Sequence, residues 1–399
     1  MKKILVALVL FIPAIGFGAE IDMQAHVASD EGLAAYSAYK DKQSSYYTGN
    51  YSPEQLLAQT GNTLFASLNT LMGNTCAIAK SSYNYDRLRD CYKSVDMDLN
   101  IKNVYIIGFY DGRRMGSLTW DPNKYNREHV WPQAKGVSKE SPMGYDMHAV
   151  RPAYTSVNED RGSQSFGEGN KYYDPDDIGI DNPLYKPANN GTYRGDVARI
   201  LLYCYITYGQ CGRAKNALYN TSAQLLGKTG TSGVIESLPI LLKWHMQDPP
   251  SLTEMVRNDG AQGYQNNRNP FIDYPELAIQ MLKDNGSITA YPVSYSASCK
   301  VSPRYTYTTT SGLVCYLGTP DNHPSQVTVQ NGKAQYDAST GRLTVTNVSG
   351  NLTITAIGGG VGLSETHVNP QPTARKVFQN GKLYILKDGY KYDIFGNRQ

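Results

Sequence analysis

The sequence predicts an α+β protein: a mainly helical front domain, then a small β-sandwich and a short β-rich tail. Over residues 28–282 apolar side chains recur at helical spacing, broken by a few β-branched and aromatic runs. After Gly286 the texture changes to Thr, Val, Ser and Gly with alternating polarity, the mark of short half-buried strands. The chain has 399 residues, enough for two or three domains with real cores. Hydrophobic residues at 40% and charged residues at 18% exclude a disordered chain. A net charge of +3 over the whole chain neither identifies nor excludes a polyanion-binding groove.

Lys2 and Lys3 precede an apolar run over 4–17, with Gly16 and Gly18 at the spacing of a secretory cleavage site. The run is too short for a membrane span and contains Pro13, so residues 1–18 read as a leader and 19–285 as the front domain. Within that domain, Leu33, Ala34, Tyr36 and Tyr39 mark one helix, and Pro53 opens another that continues through Leu56, Leu57, Leu64, Leu68 and Leu71. Residues 103–110 read as a strand turning at Asp111-Gly112, and 120–132 as strand and loop. Helices are expected from Thr155-Ser156, over 197–208, over 235–246, and after Ser251, whose Glu254 completes a capping box.

The sandwich is expected over 292–360 with an immunoglobulin-like arrangement, its strands including 326–329, 342–348 and 352–357. In the tail, 361–399, two strands join at Asn380-Gly381 and a third follows Asp388-Gly389. No catalytic grouping falls in either C-terminal piece, and a spacer with an export or attachment module is the expectation there. The six cysteines form neighbouring pairs, Cys76 with Cys91, Cys204 with Cys211, and Cys299 with Cys315, which an oxidising compartment would join as disulfides.

Chemistry concentrates in Asn126-Arg127-Glu128-His129-Val130-Trp131-Pro132, Asp146-Met147-His148-Ala149-Val150-Arg151-Pro152 and Asn158-Glu159-Asp160-Arg161. The chain has no H-E-x-x-H of a zinc peptidase, no G-x-S-x-G elbow and no G-x-x-x-x-G-K-[ST] phosphate loop. His26, His323 and His367 lack acidic companions, and His245 beside Trp244 reads as a satisfied core histidine. On a strand, Glu128 and His129 point to opposite faces, which suits a divided task. The Glu128 carboxylate and the Asn158 amide oxygen would hold a hard divalent cation such as Mg²⁺, with positions left open for a phosphate. His129 would take a proton from an attacking water, and Arg161, with Arg127 or Arg151 as other candidates, would clamp the nonbridging oxygens.

These blocks, together with Arg194-Gly195-Asp196-Val197-Ala198-Arg199, Leu241-Leu242-Lys243-Trp244-His245 and Asn267-Arg268-Asn269-Pro270-Phe271-Ile272-Asp273-Tyr274-Pro275-Glu276, resemble the endonuclease I family of secreted bacterial nucleases. The resemblance spans residues 28–282 and implies a ββα-metal (His-Me finger) site that cuts DNA, and often RNA, with little sequence preference. It implies His129 as general base, and Glu128 and Asn158 as ligands of Mg²⁺ or another divalent cation such as Mn²⁺ or Ca²⁺. Two positions depart from the family pattern: Ala149 stands where many members have a second histidine, and Ser163 where many have an asparagine. Asp146 and His148 are expected to orient the site rather than bind metal.

A non-specific nuclease grips phosphates, which makes Arg127, Lys135, Lys139, Arg151 and Arg161 candidate substrate contacts. Hydrolysis by one-metal catalysis would leave 5′-phosphate ends. The rival expectations are a secreted binding or adhesion protein that kept this fold but lost turnover through Ala149 and Ser163, and an adhesin whose function lies in the sandwich. The tail, in its Asn-Gly-Lys-Leu-Tyr-Ile and Gly-Tyr-Lys-Tyr-Asp pattern, resembles C-terminal regions of exported bacterial proteins.

Overall fold

The computed structural model describes residues 43–75, 84–96, 105–110, 112, 114–115, 119–135, 137–163, 166, 193–209, 238–286, 288–319, 322–359, 374–379, 382–387 and 390–392. The expected leader, the helix through Leu33 and Tyr39, and Cys76, Cys211, His26 and His367 lie outside the described residues. Two compact units divide between Gly360 and Val361.

The leucine run after Pro53 forms two helices. In α1 (Pro53–Leu57) Ser52 caps the first turn by accepting from the Gln55 amide, and α2 (Gly61–Thr75) follows after a break. Leu56, Leu64, Leu68 and Met72 are completely buried or nearly so, which is the core-facing stripe the spacing encodes. α3 (Leu88–Val95) buries Leu88, Cys91, Tyr92 and Val95 on one face. The strand expected over 103–110 is short: β1 (Ile106–Ile107) pairs with β2 (Arg114–Met115), and Tyr110 leaves extended geometry at φ 72°. A left-handed φ at a non-glycine residue costs about 1 kcal/mol or more and persists only where surrounding contacts fix it.

β3 (Tyr125–His129) pairs antiparallel with β4 (Val150–Tyr154), Glu128 opposite Arg151 and His129 opposite Val150. The chain passes from β4 directly into α4 (Thr155–Arg161), which packs against both strands. This is a ββα unit. Behind it stand α5 (Arg194–Gly209), α6 (Leu238–Gln247), α7 (Leu252–Gln265), α8 (Pro270–Asp273) and α9 (Glu276–Leu282). α5 packs on α6 and α2, α9 on α2, and α7 on α3. α7 starts with the expected capping box, Ser251 and Glu254 each bonding the other's backbone amide, a feature worth about 1 kcal/mol.

The C-terminal half of the first unit holds two four-stranded sheets. One has the order β10 (Lys333–Asp337), β11 (Arg342–Thr346), β8 (Leu313–Leu317), β6 (Val301–Ser302). The other runs β7 (Tyr307–Thr309), β5 (Ala290–Ala297), β12 (Leu352–Gly358), β9 (Pro324–Gln330). The β5–β12 pair is parallel, a departure from the antiparallel sheets of an immunoglobulin constant-type domain. These sheets are joined to the helices: Glu276 Oε1 accepts the Arg304 amide at 2.9 Å, Gln280 Nε2 donates to Thr306 Oγ1 at 2.6 Å, and Gln247 Nε2 donates to the Ser311 carbonyl at 2.9 Å. The second unit contains an antiparallel meander of β13 (Ala374–Gln379), β14 (Lys382–Lys387) and β15 (Tyr390–Tyr392).

No disulfide joins Cys299 and Cys315 in this structure: both are buried thiols, and the neighbouring Cys299 adds to the burial that pushes the Cys315 thiol up to about 12. Cys91 and Cys204 are buried, and their expected partners are the two cysteines outside the described residues.

Candidate active site

The ββα unit lines a cavity of about 410 Å³. Glu128 and His129 from the end of β3, Gln133 just beyond it, and Asn158 from α4 all contribute to its wall. The strand alternation that separates Glu128 from His129 is therefore resolved at the strand's last residue, where the cavity meets both side chains.

Glu128 is 3% exposed. Tyr110, the residue with left-handed backbone, donates its hydroxyl to Glu128 Oε1 at 2.8 Å, and Arg161 Nε lies 3.4 Å from the same oxygen. Oε2 has no hydrogen-bond partner among the described residues. Burial lifts the carboxyl pKa to about 7, against the opposing pull of the Arg161 charge and the Tyr110 hydrogen bond. The Asn158 side chain likewise has no hydrogen-bond partner among the described residues. Two oxygen donors face the cavity from different elements, a hard donor set of the kind a divalent cation takes. No cluster of three or more His, Cys, Asp or Glu that could hold a metal occurs among the described residues.

His129 Nε2 donates to the Gly144 carbonyl at 2.9 Å. A carbonyl can only accept, so this contact selects the neutral tautomer in which Nδ1 carries the lone pair. Gln133 Nε2 donates toward that Nδ1 at 3.2 Å. Burial lowers the imidazole pKa to about 4, with the Gly144 bond opposing and Arg127 adding to the fall. The ring stacks on Tyr85 with centroids 5.5 Å apart, and the Arg127 guanidinium covers Tyr85 at 3.5 Å.

Asp146 and His148 sit behind the loop that presents Gly144. Asp146 is completely buried and accepts from the His148 amide at 2.7 Å, Gln265 Nε2 at 2.8 Å, and the hydroxyls of Tyr203 (2.7 Å) and Tyr208. His148 Nε2 donates to the Asn267 carbonyl at 3.1 Å, and burial takes its pKa down to about 4. Gly144 itself has no room for a side chain: a Cβ there would meet the Ser138 carbonyl oxygen at 2.0 Å.

The expected arginines are held by protein groups. Arg161 is 1% exposed, and its guanidinium lies against Glu128, the Val130 carbonyl (3.3 Å) and the Gly162 carbonyl (2.9 Å). Arg151 is also buried, bonded through Nε to Asp96 at 3.1 Å and stacked on Phe109, an ion pair that Arg257 shares. Desolvation explains both: a guanidinium on the core side of a strand or helix is stable only with its own carboxylate or carbonyls. Arg127 does line the cavity, fixed by the Tyr85 carbonyl and Asp86. Lys139 is exposed, and Lys135 ends a short helical turn whose side chain there is outside the described set. Ala149 packs in the core and Ser163 lines the cavity. His245 is a core residue, donating to the Pro275 carbonyl at 2.8 Å. Sequence reasoning missed Tyr85, Tyr110, Gln133 and the Gly144 carbonyl, and only the glycine left a trace in the sequence.

The family model described as Endonuclease I matches residues 60–276. An extracellular ribonuclease of Bacillus amyloliquefaciens is 34% identical over 208 residues, covering 50% of this chain and 68% of that protein. An extracellular ribonuclease of Bacillus subtilis (strain 168) is 30% identical over 265 residues, covering 62% of this chain and 82% of that protein. The matched span includes the whole ββα unit and the helices behind it from α5 to α8, and on this ground the chain belongs to the endonuclease I family and is a nuclease.

Proposed function

We propose that this chain is a secreted, divalent-cation-dependent endonuclease that hydrolyses phosphodiester bonds of RNA and DNA with little sequence preference. The observation that carries this reading is the meeting of Glu128, Asn158 and the His129 imidazole on one cavity of the ββα unit. RNA is included because the Bacillus relatives are named ribonucleases. Secretion is supported by the leader-like start, by those relatives being extracellular, and by the lack, among the described residues, of a helix long and apolar enough to cross a membrane.

Glu128 and Asn158 would hold the cation, for which Mg²⁺ suits two oxygen donors. When bound, it supplies charge to the phosphoryl oxygens and to the leaving oxygen. His129, neutral at physiological pH, accepts at Nδ1 the proton of the attacking water once the Gln133 amide that donates to this nitrogen has turned aside, while the Gly144 carbonyl stabilises the imidazolium that results. Arg161 and Tyr110 keep the Glu128 carboxylate aimed. Arg127 offers its charge to the phosphate backbone from the cavity wall. Departure of the 3′ oxygen leaves a 5′-phosphate end.

The test is cleavage of plasmid DNA and of single-stranded RNA by the purified chain, with Mg²⁺ and after chelation. Cleavage that chelator abolishes, and that His129→Ala reduces about 10²-fold or more, supports the reading. Undiminished cleavage by His129→Ala, or cleavage indifferent to chelator, overturns it.

A further inference from the structure

We infer that Trp120 and Arg89 form a nucleotide subsite on one wall of the catalytic cavity, taking the base and phosphate of a nucleotide next to the scissile bond on an unpaired strand. The inference rests on the nuclease reading above and names the part of the substrate recognised there.

Both residues line the same cavity as Glu128, His129 and Asn158. The other aromatic rings in that wall are committed. Tyr85 has Arg127 3.5 Å above its ring and lies stacked near His129, and Tyr125 is 7% exposed and packs edge-on against Tyr154. Trp120 is half-buried: it tilts over Tyr92 at 5.7 Å and meets Tyr125 edge-on at 5.8 Å, and the rest of its indole borders the cavity. A large ring left wet at the mouth of a polar cavity is suited to stacking on a base, whichever base it is.

Arg89 supplies the charge. Its Nη2 bonds Asp86 at 2.6 Å, and its side chain is 37% exposed. Asp86 also accepts from Arg127 at 3.0 Å, so one exposed carboxylate serves two guanidiniums and this wall keeps net positive charge. A part-exposed guanidinium on a cationic wall beside a phosphodiester site matches a phosphate oxygen. A base can lie flat on Trp120 only when it is not stacked within a duplex, which makes the subsite selective for single strands.

The optical probe is built in. Of the three tryptophans, Trp131 and Trp244 are each 1% exposed, so a ligand stacking in the cavity reports through Trp120. The full-length His129→Ala protein is titrated in Mg²⁺ with a short oligouridylate, with an abasic strand of equal length, and with duplex DNA, exciting where tyrosine does not absorb. The expected result is saturable quenching by the oligouridylate, weaker quenching by the duplex, none from the abasic strand, and loss of the signal in His129→Ala/Trp120→Phe. In the otherwise wild-type enzyme, Trp120→Leu, which keeps an apolar side chain on Tyr92, should lower kcat/KM about tenfold on single-stranded RNA and much less on duplex DNA. Arg89→Gln should raise KM on the same strand and flatten its salt dependence. Quenching that persists without Trp120 or is equal for the abasic strand, or wild-type kinetics from a Trp120→Leu protein with an unchanged melting temperature, overturns the inference. Wild-type protein that cleaves neither nucleic acid overturns the nuclease reading instead, and the quenching titration still decides the subsite.

Discussion

The Gly144 carbonyl accepts the Nε2–H of His129 at 2.9 Å, so a backbone atom, not an acidic side chain, sets which imidazole nitrogen is basic. Everything behind that carbonyl is a means of holding it still: Ser141 caps the turn onto the Gly144 amide, and Asp146 anchors the next residues to α5 and α7.

Replacing Gly144 with alanine forces a Cβ against the Ser138 carbonyl oxygen, and the loop must move. The expected outcome is a fall in kcat of about tenfold or more with KM nearly unchanged, since a displacement near 1 Å at a catalytic group costs up to about 10²-fold. Steady-state kinetics on one RNA substrate checks it.

Asp146→Asn keeps the shape of the hub but replaces an anion that accepts from four donors with a neutral amide. Loss of charge-assisted bonds in a buried setting should cost about 2–4 kcal/mol of stability. Denaturant unfolding measures this, and kcat should fall along with it.

The pH profile follows from two opposite shifts. Glu128 has its pKa raised to about 7 by burial, so it is protonated and a poor cation ligand below that value. His129, lowered to about 4, is neutral and able to accept a proton across the whole range above it. Activity at limiting Mg²⁺ should therefore rise with pH through about 7, and saturating Mg²⁺ should move that limb to lower pH because the cation favours the ionised carboxylate. Tyr110→Phe removes a hydrogen bond that lowers the Glu128 pKa and should move the same limb upward. A profile that ignores Mg²⁺ concentration refutes the assignment.

Arg151, buried against Asp96, is expected to serve stability. Removing Asp96 leaves Arg151 and Arg257 without their shared carboxylate, and Asp96→Ala should destabilise by about 3–5 kcal/mol. The salt dependence of kcat/KM in the folded enzyme should stay that of wild type, whereas Arg127→Ala should reduce it.

The ββα unit was legible through the family resemblance its motifs carry, and those motifs are local: β3, β4 and α4 lie close together in the chain, and Glu128, His129 and Asn158 come from its own elements. The capping box at Ser251 and Glu254 was legible for the same reason. The buried surroundings of Arg161 and Arg151 were not legible because a charged side chain reads alike in sequence whether it faces a phosphate or a buried carboxylate. Only the fold brings Asp96 to Arg151 and Arg257, and Tyr110 to Glu128. Trp120 and Arg89 carry no motif, and their meeting with β3 depends on the packing of α3 and the chain entering β3.

The bonds from α6 and α9 into the paired sheets have a consequence for handling and for survival. Cutting the polypeptide after Gly286 would strip Glu276, Gln280 and Gln247 of their acceptors and donors and wet the apolar surface beneath. A truncated front half should precipitate or melt well below the intact protein. Conversely, helices and sheets tied by these bonds should lose protection together, and hydrogen exchange should show amides of 238–286 and 288–319 opening with one free energy.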